Sequence, residues 1–242
     1  MFLAPYIQQQ DREFCFSRHQ GSTFAKKVAG DFNPLHDEDA KRFCVPGDLM
    51  FSWLLSQYGI SERLCCTFSG MVAADVWLHF EQHDNEIRIC DREGKVYLSL
   101  TQEGAVSKDM ALIEAIATDY VQFSGKNFPH ILHPLMQAQR VMIHPQRPMV
   151  IYESMTLELT ELPECWPQLE LTNACLEVTG RRGSALLDFS LVCHGKAIGQ
   201  GRKRMILSNL SPYDTTAMEA MIAEYNRRKE AFSAYLEGDI TP

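Results

Sequence analysis

Asp31 and His36 stand five positions apart in the stretch Val28-Ala29-Gly30-Asp31-Phe32-Asn33-Pro34-Leu35-His36. A carboxylate can orient an imidazole or share a water with it. An imidazole exchanges protons near neutral pH. The pair therefore has the parts for acid–base work on a bound molecule. Asn33-Pro34 between them marks a polar turn. On residue types alone the stretch equally suits a helix-capping Asp, an Asn-Pro turn and an exposed His, because turns use those residues in any case.

The elements around the pair follow from local patterning. Residues 12–18 alternate and suit a short strand. Residues 20–29 suit a short helix with Phe24 and Val28 on one face, and Gly30 supplies a left-handed stop. After the turn, Pro46-Gly47 precedes Leu49-Met50-Phe51-Ser52-Trp53-Leu54-Leu55, apolar nearly all round as a fully buried helix should be. The period then changes to two. Residues 71–80, 87–89 and 96–101 suit strands, with turns at 91–94 and at Gln102-Glu103-Gly104. Residues 110–123 fit a strand or a helix, and Ile113, Val121 and Phe123 on one face favour the strand. Residues 125–148 hold Gly125 and four prolines with little periodicity, as a linker would. Residues 149–207 alternate as strands, with hairpin turns at 180–183 and 194–196. Residues 215–236 suit an amphipathic helix with Met218, Met221, Ile222, Tyr225, Phe232, Tyr235 and Leu236 on its apolar stripe. Thr216 and Glu219 suit a capping box and Gly238 a stop.

Composition narrows the function. The formal net charge is −8, which repels phosphate backbones and argues against a nucleic-acid binder. No basic segment followed by an apolar run opens the chain, and no apolar run reaches membrane-spanning length. These features predict a cytoplasmic protein. The eight cysteines are expected as free thiols, and no Cys-x-x-Cys pair suggests zinc. His79 and His83 have Glu in the wrong place for a His-Glu-x-x-His metal helix, and a solvated strand end fits them better. No metal and no cofactor are expected. Arg181-Arg182 and Arg202-Lys203-Arg204 are candidates for meeting phosphates, though such clusters are more often solvated faces.

The stretch from Gly30 to His36 closely resembles the Gly-Asp-x-Asn-Pro-aliphatic-His signature of MaoC-like (R)-specific enoyl-CoA hydratases. Pro46-Gly47-Asp48-Leu49-Met50-Phe51-Ser52 looks like the start of that family's long central helix, and Gln102-Glu103-Gly104 is similar to its late turn. The resemblance covers roughly the N-terminal half. It implies an α+β hot-dog fold, in which antiparallel strands wrap a helix, and an acyl thioester as the small-molecule partner. It implies that Asp31 and His36 are catalytic, activating a water that adds at C3. Asn33 would fix the loop, the Gly47 N–H would meet the thioester oxygen, and Ser52 would help orient the catalytic side chains. The sequence departs from the family in three ways: Pro46 replaces a usual His, Asp48 replaces an apolar residue, and segment 37–46 is short. Asp48 must point away from the Gly47 N–H if negative charge is to develop there.

The length and the recurring strand-turn rhythm of 87–116 at 176–207 predict a tandem, double hot dog. Residues 1–124 would carry the motif. Residues 125–242 would form a degenerate second unit whose sheet the C-terminal helix covers. The expected function is hydration of trans-2-enoyl thioesters of coenzyme A or a carrier protein, or the reverse dehydration. The alternatives are a non-catalytic acyl-thioester binding protein and a hot-dog thioesterase. Pairing is expected as a homodimer or as an intrachain pseudo-dimer.

Overall fold

The computed structural model describes residues 2–163 and 165–237, with the side chains of Tyr235 and Glu237 outside the description. Strands β1 (Gln8–Gln10) and β2 (Glu13–Cys15) lead to helix α1 (Arg18–Phe24), which continues as a wide turn over Ala25–Ala29. Helix α2 (Gly47–Tyr58) precedes β3 (Ile60–Phe68), β4 (Leu78–His83), β5 (Glu86–Asp91) and β6 (Val96–Ser107). Helices α3 (Met110–Gly125) and α4 (Leu132–Ala138) and the short β7 (Val141–Met142) follow. Then come β8 (Val150–Leu159), β9 (Gln168–Thr179), β10 (Arg182–Cys193), β11 (Lys196–Ser208), the short β12 (Ser211–Pro212) and helix α5 (Thr215–Glu237).

Ten strands form one antiparallel sheet in the order β1-β2-β4-β5-β6-β3-β8-β11-β10-β9. The order contains a repeat. A helix, α2, is followed by a strand, β3, and then by the meander β4-β5-β6, whose last strand returns beside β3. The same sentence is spoken again by α3, β8 and the meander β9-β10-β11, whose last strand returns beside β8. The two halves meet where β3 pairs antiparallel with β8, Cys65 opposite Thr156. This is a double hot dog of the α+β class.

Each half needs a helix because a sheet with an uncovered apolar face would aggregate. In α2 every residue from Asp48 to Leu55 is buried, so these two turns have no solvent face, and only the last turn reaches the surface at Gln57. Its start is set by Pro46, and Gly59 ends it. Helix α3 buries Leu112, Ile113, Ile116, Ala117, Tyr120 and Val121, and Asp109 caps it by accepting from the Ala111 N–H. Phe51 of α2 meets Tyr120 of α3 edge-to-face at 5.1 Å.

Several sequence expectations change here. Residues 110–123 are helix, not strand. Ile113, Val121 and Phe123 fit both periods, but Ile113, Ile116, Ala117 and Tyr120 form a helical stripe that packs beside α2. Residue 124 lies in the last turn of α3, so a division at 124/125 would cut a helix. The stretch expected as a linker holds the end of α3, all of α4 and β7. The repeat therefore pairs β4-β5-β6 with β9-β10-β11. Gln102-Glu103-Gly104 is no turn; it lies inside β6, where the β3–β6 register slips. Helix α5 does not cover the second half of the sheet, because α3 already lies against it. Its cap is Asp214, whose Oδ1 accepts from the Ala217 N–H at 2.9 Å, rather than Thr216, and Gly238 lies outside the described residues. Cys165 and Cys193 are joined as a disulfide, against the expectation of free thiols, while six other cysteines are free. The turns at Gly180-Arg181 and His194-Gly195 are where the sequence places them. No described helix is long and apolar enough to cross a membrane.

Candidate functional site

The Asp31 loop is built from backbone outward. Gly30 takes the left-handed conformation, φ 66°, as the sequence predicts, and the Asp31 N–H donates to the Ala25 carbonyl at 2.9 Å. Asp31 Oδ1 accepts from the Asn33 N–H at 2.9 Å, and Asn33 Oδ1 accepts from the Leu35 N–H at 3.1 Å. These side-chain bonds replace water on a tight turn, as Asp and Asn commonly do. Pro34 opens a one-turn helix over Pro34–His36, a position where its missing N–H costs nothing. The Cys44 N–H donates to the Leu35 carbonyl at 2.9 Å and ties the loop down.

That tie also fixes the histidine. His36 Nδ1 lies 2.7 Å from the Cys44 carbonyl. A carbonyl only accepts, so Nδ1 carries the proton and neutral His36 presents Nε2 as an acceptor. Nε2 faces Asp31 Oδ2 at 3.7 Å. That gap is too long for a hydrogen bond. An ionised carboxylate and a neutral Nε2 are both acceptors, and one water can donate to both. Burial raises the Asp31 carboxyl above its ordinary value, against the lowering pull of His36, the Asn33 N–H and Lys203.

Both groups open onto a cavity of about 470 Å³, within the range of small-molecule pockets. The first half supplies Asp31, His36 and Gly47 to its wall, and the second half supplies Ser124, Tyr152 and Met205. Among the described residues no hydrogen bond uses the Gly47 N–H, which opens α2. Asp48 turns inward: its Oδ2 accepts from Ser124 Oγ at 2.6 Å and from the Tyr152 hydroxyl at 3.2 Å. Ser52 does not reach Asp31 or His36. It is fully buried and donates to the Asp48 carbonyl in its own helix at 2.8 Å. The structure thus brings Asp31, Asn33, His36 and Gly47 to one cavity and leaves Ser52 inside the core.

Sequence reasoning missed two contributors. The first is Lys203, read as part of a solvated Arg-Lys-Arg cluster but 1% exposed. Strand alternation held the signal, since Lys203 shares a face with the buried Met205 and Leu207. Its neighbours point out, Arg202 to Asp188 at 2.6 Å and Arg204 to Glu153 at 3.5 Å. Arg182 also faces Glu153, at 4.0 Å, and Arg181 Nε donates to the Leu210 carbonyl at 3.3 Å. The second is α5, which lies over the loop. Tyr225 donates toward the Gly30 and Gly125 carbonyls at 3.2 and 3.3 Å, and its ring meets Phe32 edge-to-face. Arg228 pairs with Asp37, which Lys26 also meets at 3.0 Å. Tyr225→Phe is expected to lower stability by about 1–3 kcal/mol, because the buried Gly125 carbonyl loses a donor. A urea midpoint identical to that of the parent would show the contact to be idle.

His79 and His83 lie on β4 and both face Glu81, at 3.2 and 3.3 Å. No group of three potential metal ligands occurs among the described residues.

Fold and cavity define a double hot-dog protein with a single Asp-x-Asn-Pro-x-His loop. The chain belongs to the DUF3581 family, described as proteins of unknown function, whose family model matches residues 1–216. No curated protein matches it. Similar solved structures include an acyl-CoA thioesterase II from Mycobacterium marinum, at 12% identity and TM-score 0.44, covering 88% of this chain and 100% of that one. A protein of unknown function with a hot-dog fold from Alicyclobacillus acidocaldarius gives 10% and 0.45, covering 87% and 97%. A MaoC-like dehydratase gives 10% and 0.41, covering 83% and 97%.

Proposed function

We propose that the chain hydrates trans-2-enoyl thioesters, or dehydrates 3-hydroxyacyl thioesters, in the manner of the MaoC-like hydratases its loop resembles. The observation that carries this reading is the Asp31–His36 pair, two acceptors 3.7 Å apart on the wall of a cavity that also holds the start of α2. A water donating to both would sit with a lone pair free for attack.

The reaction needs no other reagent. The water oxygen bonds to C3, and the C2=C3 electrons move toward the thioester oxygen, giving an enolate. One acceptor takes a proton from the water, and the pair returns a proton to C2. The Gly47 N–H and the positive end of α2 face the developing oxyanion, and fixed donors in a dry site stabilise it best. The inward turn of Asp48 keeps its carboxylate from opposing that charge. Asn33 holds the loop and touches no reacting atom.

The direct test is loss of the enoyl absorbance when purified protein meets crotonyl-CoA and longer trans-2-enoyl-CoAs. Hydration of at least one is expected. Binding of these thioesters with no turnover of any would replace the reading with that of an acyl-thioester binding protein.

A further inference from the structure

Behind the cavity wall lies a buried polar group that hydration does not use. Lys203 Nζ donates to Ser124 Oγ at 2.5 Å, and Ser124 also contacts the Tyr152 hydroxyl and donates to Asp48 Oδ2 at 2.6 Å. Four elements supply it: β11, α3, β8 and α2. Ser124 and Tyr152 border the cavity, while Lys203 and Asp48 stand behind them. The Lys203 ammonium also lies 3.5 Å from the Tyr152 ring centre and 5.5 Å from that of Tyr120.

We propose that Ser124 and Lys203 form a second reactive centre in this cavity, a serine nucleophile with a lysine base that takes the acyl group from a bound thioester. The inference rests on the proposed thioester placement, with its oxygen at the Gly47 N–H. Ser124 and Gly47 line the same cavity, and the ring of Tyr152, whose hydroxyl contacts Ser124, would lie 3.4 Å from a Cβ on Gly47.

A serine hydroxyl needs a neighbouring base to attack, and a lysine serves when it can lose its proton near neutral pH. Burial does this here. It lowers Lys203 to about 8, against the opposing pull of Asp48 and Asp31. Burial also raises the Asp48 carboxyl, so both partners lean toward their neutral forms. The groups facing Lys203 are Ser124 and Tyr120 on α3, Tyr152 on β8, Asp48 on α2 and, more distantly, Asp31. With Lys203 neutral, the Ser124 hydroxyl turns and donates to Nζ.

The step then balances. Ser124 Oγ bonds to the thioester carbonyl carbon and its proton passes to Lys203. The C–S bond breaks, the thiolate takes the proton from Lys203, and an acyl ester remains on Ser124. Water, activated by the same amine, cleaves that ester. One thioester and one water give one carboxylic acid and one thiol.

Saturated thioesters separate this centre from the hydratase, since they have no C2=C3 bond to hydrate. The probes are octanoyl-CoA and octanoyl-pantetheine, with free thiol as the readout and mass spectrometry for the adduct. Thiol release and an octanoyl group on the Ser124 peptide are expected. Release should rise with pH to a plateau above about 8, because the neutral amine is the active form. Ser124→Ala and Lys203→Met should each lower release by about 10²-fold or more. If Ser124→Ala fails to fold, Ser124→Cys keeps a nucleophile of similar volume and should carry the adduct on the introduced thiol. Absence of both thiol release and adduct from the wild-type protein overturns the proposal, leaving the group a means of neutralising Asp48. An adduct on another residue, or release that survives Ser124→Ala, overturns it as well.

Discussion

His36→Ala and Asp31→Asn should each lower kcat/KM for enoyl-thioester hydration by about 10²–10⁴-fold, the range over which a positioned acid or base contributes. The two differ in their side effects. Removing His36 leaves the Cys44 carbonyl without its donor and should cost about 1 kcal/mol. Asp31→Asn keeps the shape while removing a charge that burial disfavours. The sign can be worked out. A carboxyl whose folded pKa is raised binds more protons folded than unfolded between its ordinary and raised values, so its contribution to stability falls as pH rises through that window. The Asn variant should lose that fall and be at least as stable as the parent at neutral pH. The wild-type rate should decline on acidification at a pH above the usual carboxylate range, because the base must be ionised. Wild-type turnover by His36→Ala on every enoyl thioester the parent hydrates would sink the mechanism.

Gly125→Ala should destabilise the protein and displace the Asp31 loop. A Cβ at residue 125 would stand 1.9 Å from the Ala29 carbonyl oxygen and 2.7 Å from its carbon, with the Asp31 nitrogen at 3.3 Å. All three are backbone atoms, so no rotamer relieves the clash. Alanine's better helix propensity returns about 1 kcal/mol. The clash forces α3 away from the loop and should leave a net loss of about 2–3 kcal/mol. Hydration should fall with it, since Ala29–Asp31 carries the carboxylate. Gly30→Ala is the contrast. Gly30 has φ 66° but no atom within 4 Å of an added Cβ, so the cost is only that of the left-handed conformation, about 1 kcal/mol. Equal chemical-denaturation midpoints for the two variants would show that close approach at Gly125 is not what positions the loop.

The Gly30 stop, the Asn33 turn, α2 and the hairpins at 180 and 194 rest on contacts within a few residues, and local patterning exposes them. Lys203 was hidden by its flanking arginines, although the two-residue period of β11 assigns it to the inner face. In α3, Ile113, Val121 and Phe123 suit either period, and only packing beside α2 decides between them. The place of α5 was not legible. An amphipathic stripe says that a face must be covered, and not by what. Tyr225 meets Gly30 across 195 residues of chain, a distance over which local pattern carries no signal. The same limit applies to the cavity, whose two walls come from halves that share a rhythm but not residues.

The β3–β8 seam joins those halves within one polypeptide. In a symmetric dimer every substitution appears twice, once at each site, and both copies must tolerate it. Here a change in the second half is made once. That asymmetry lets one half keep the Asp31–His36 loop while the other sets Ser124 and Tyr152 on the wall of the same cavity, with Lys203 behind them. The tether also holds the halves at a fixed effective concentration, so dilution cannot part them. Titration with a thioester should therefore saturate at one equivalent per chain, at any protein concentration.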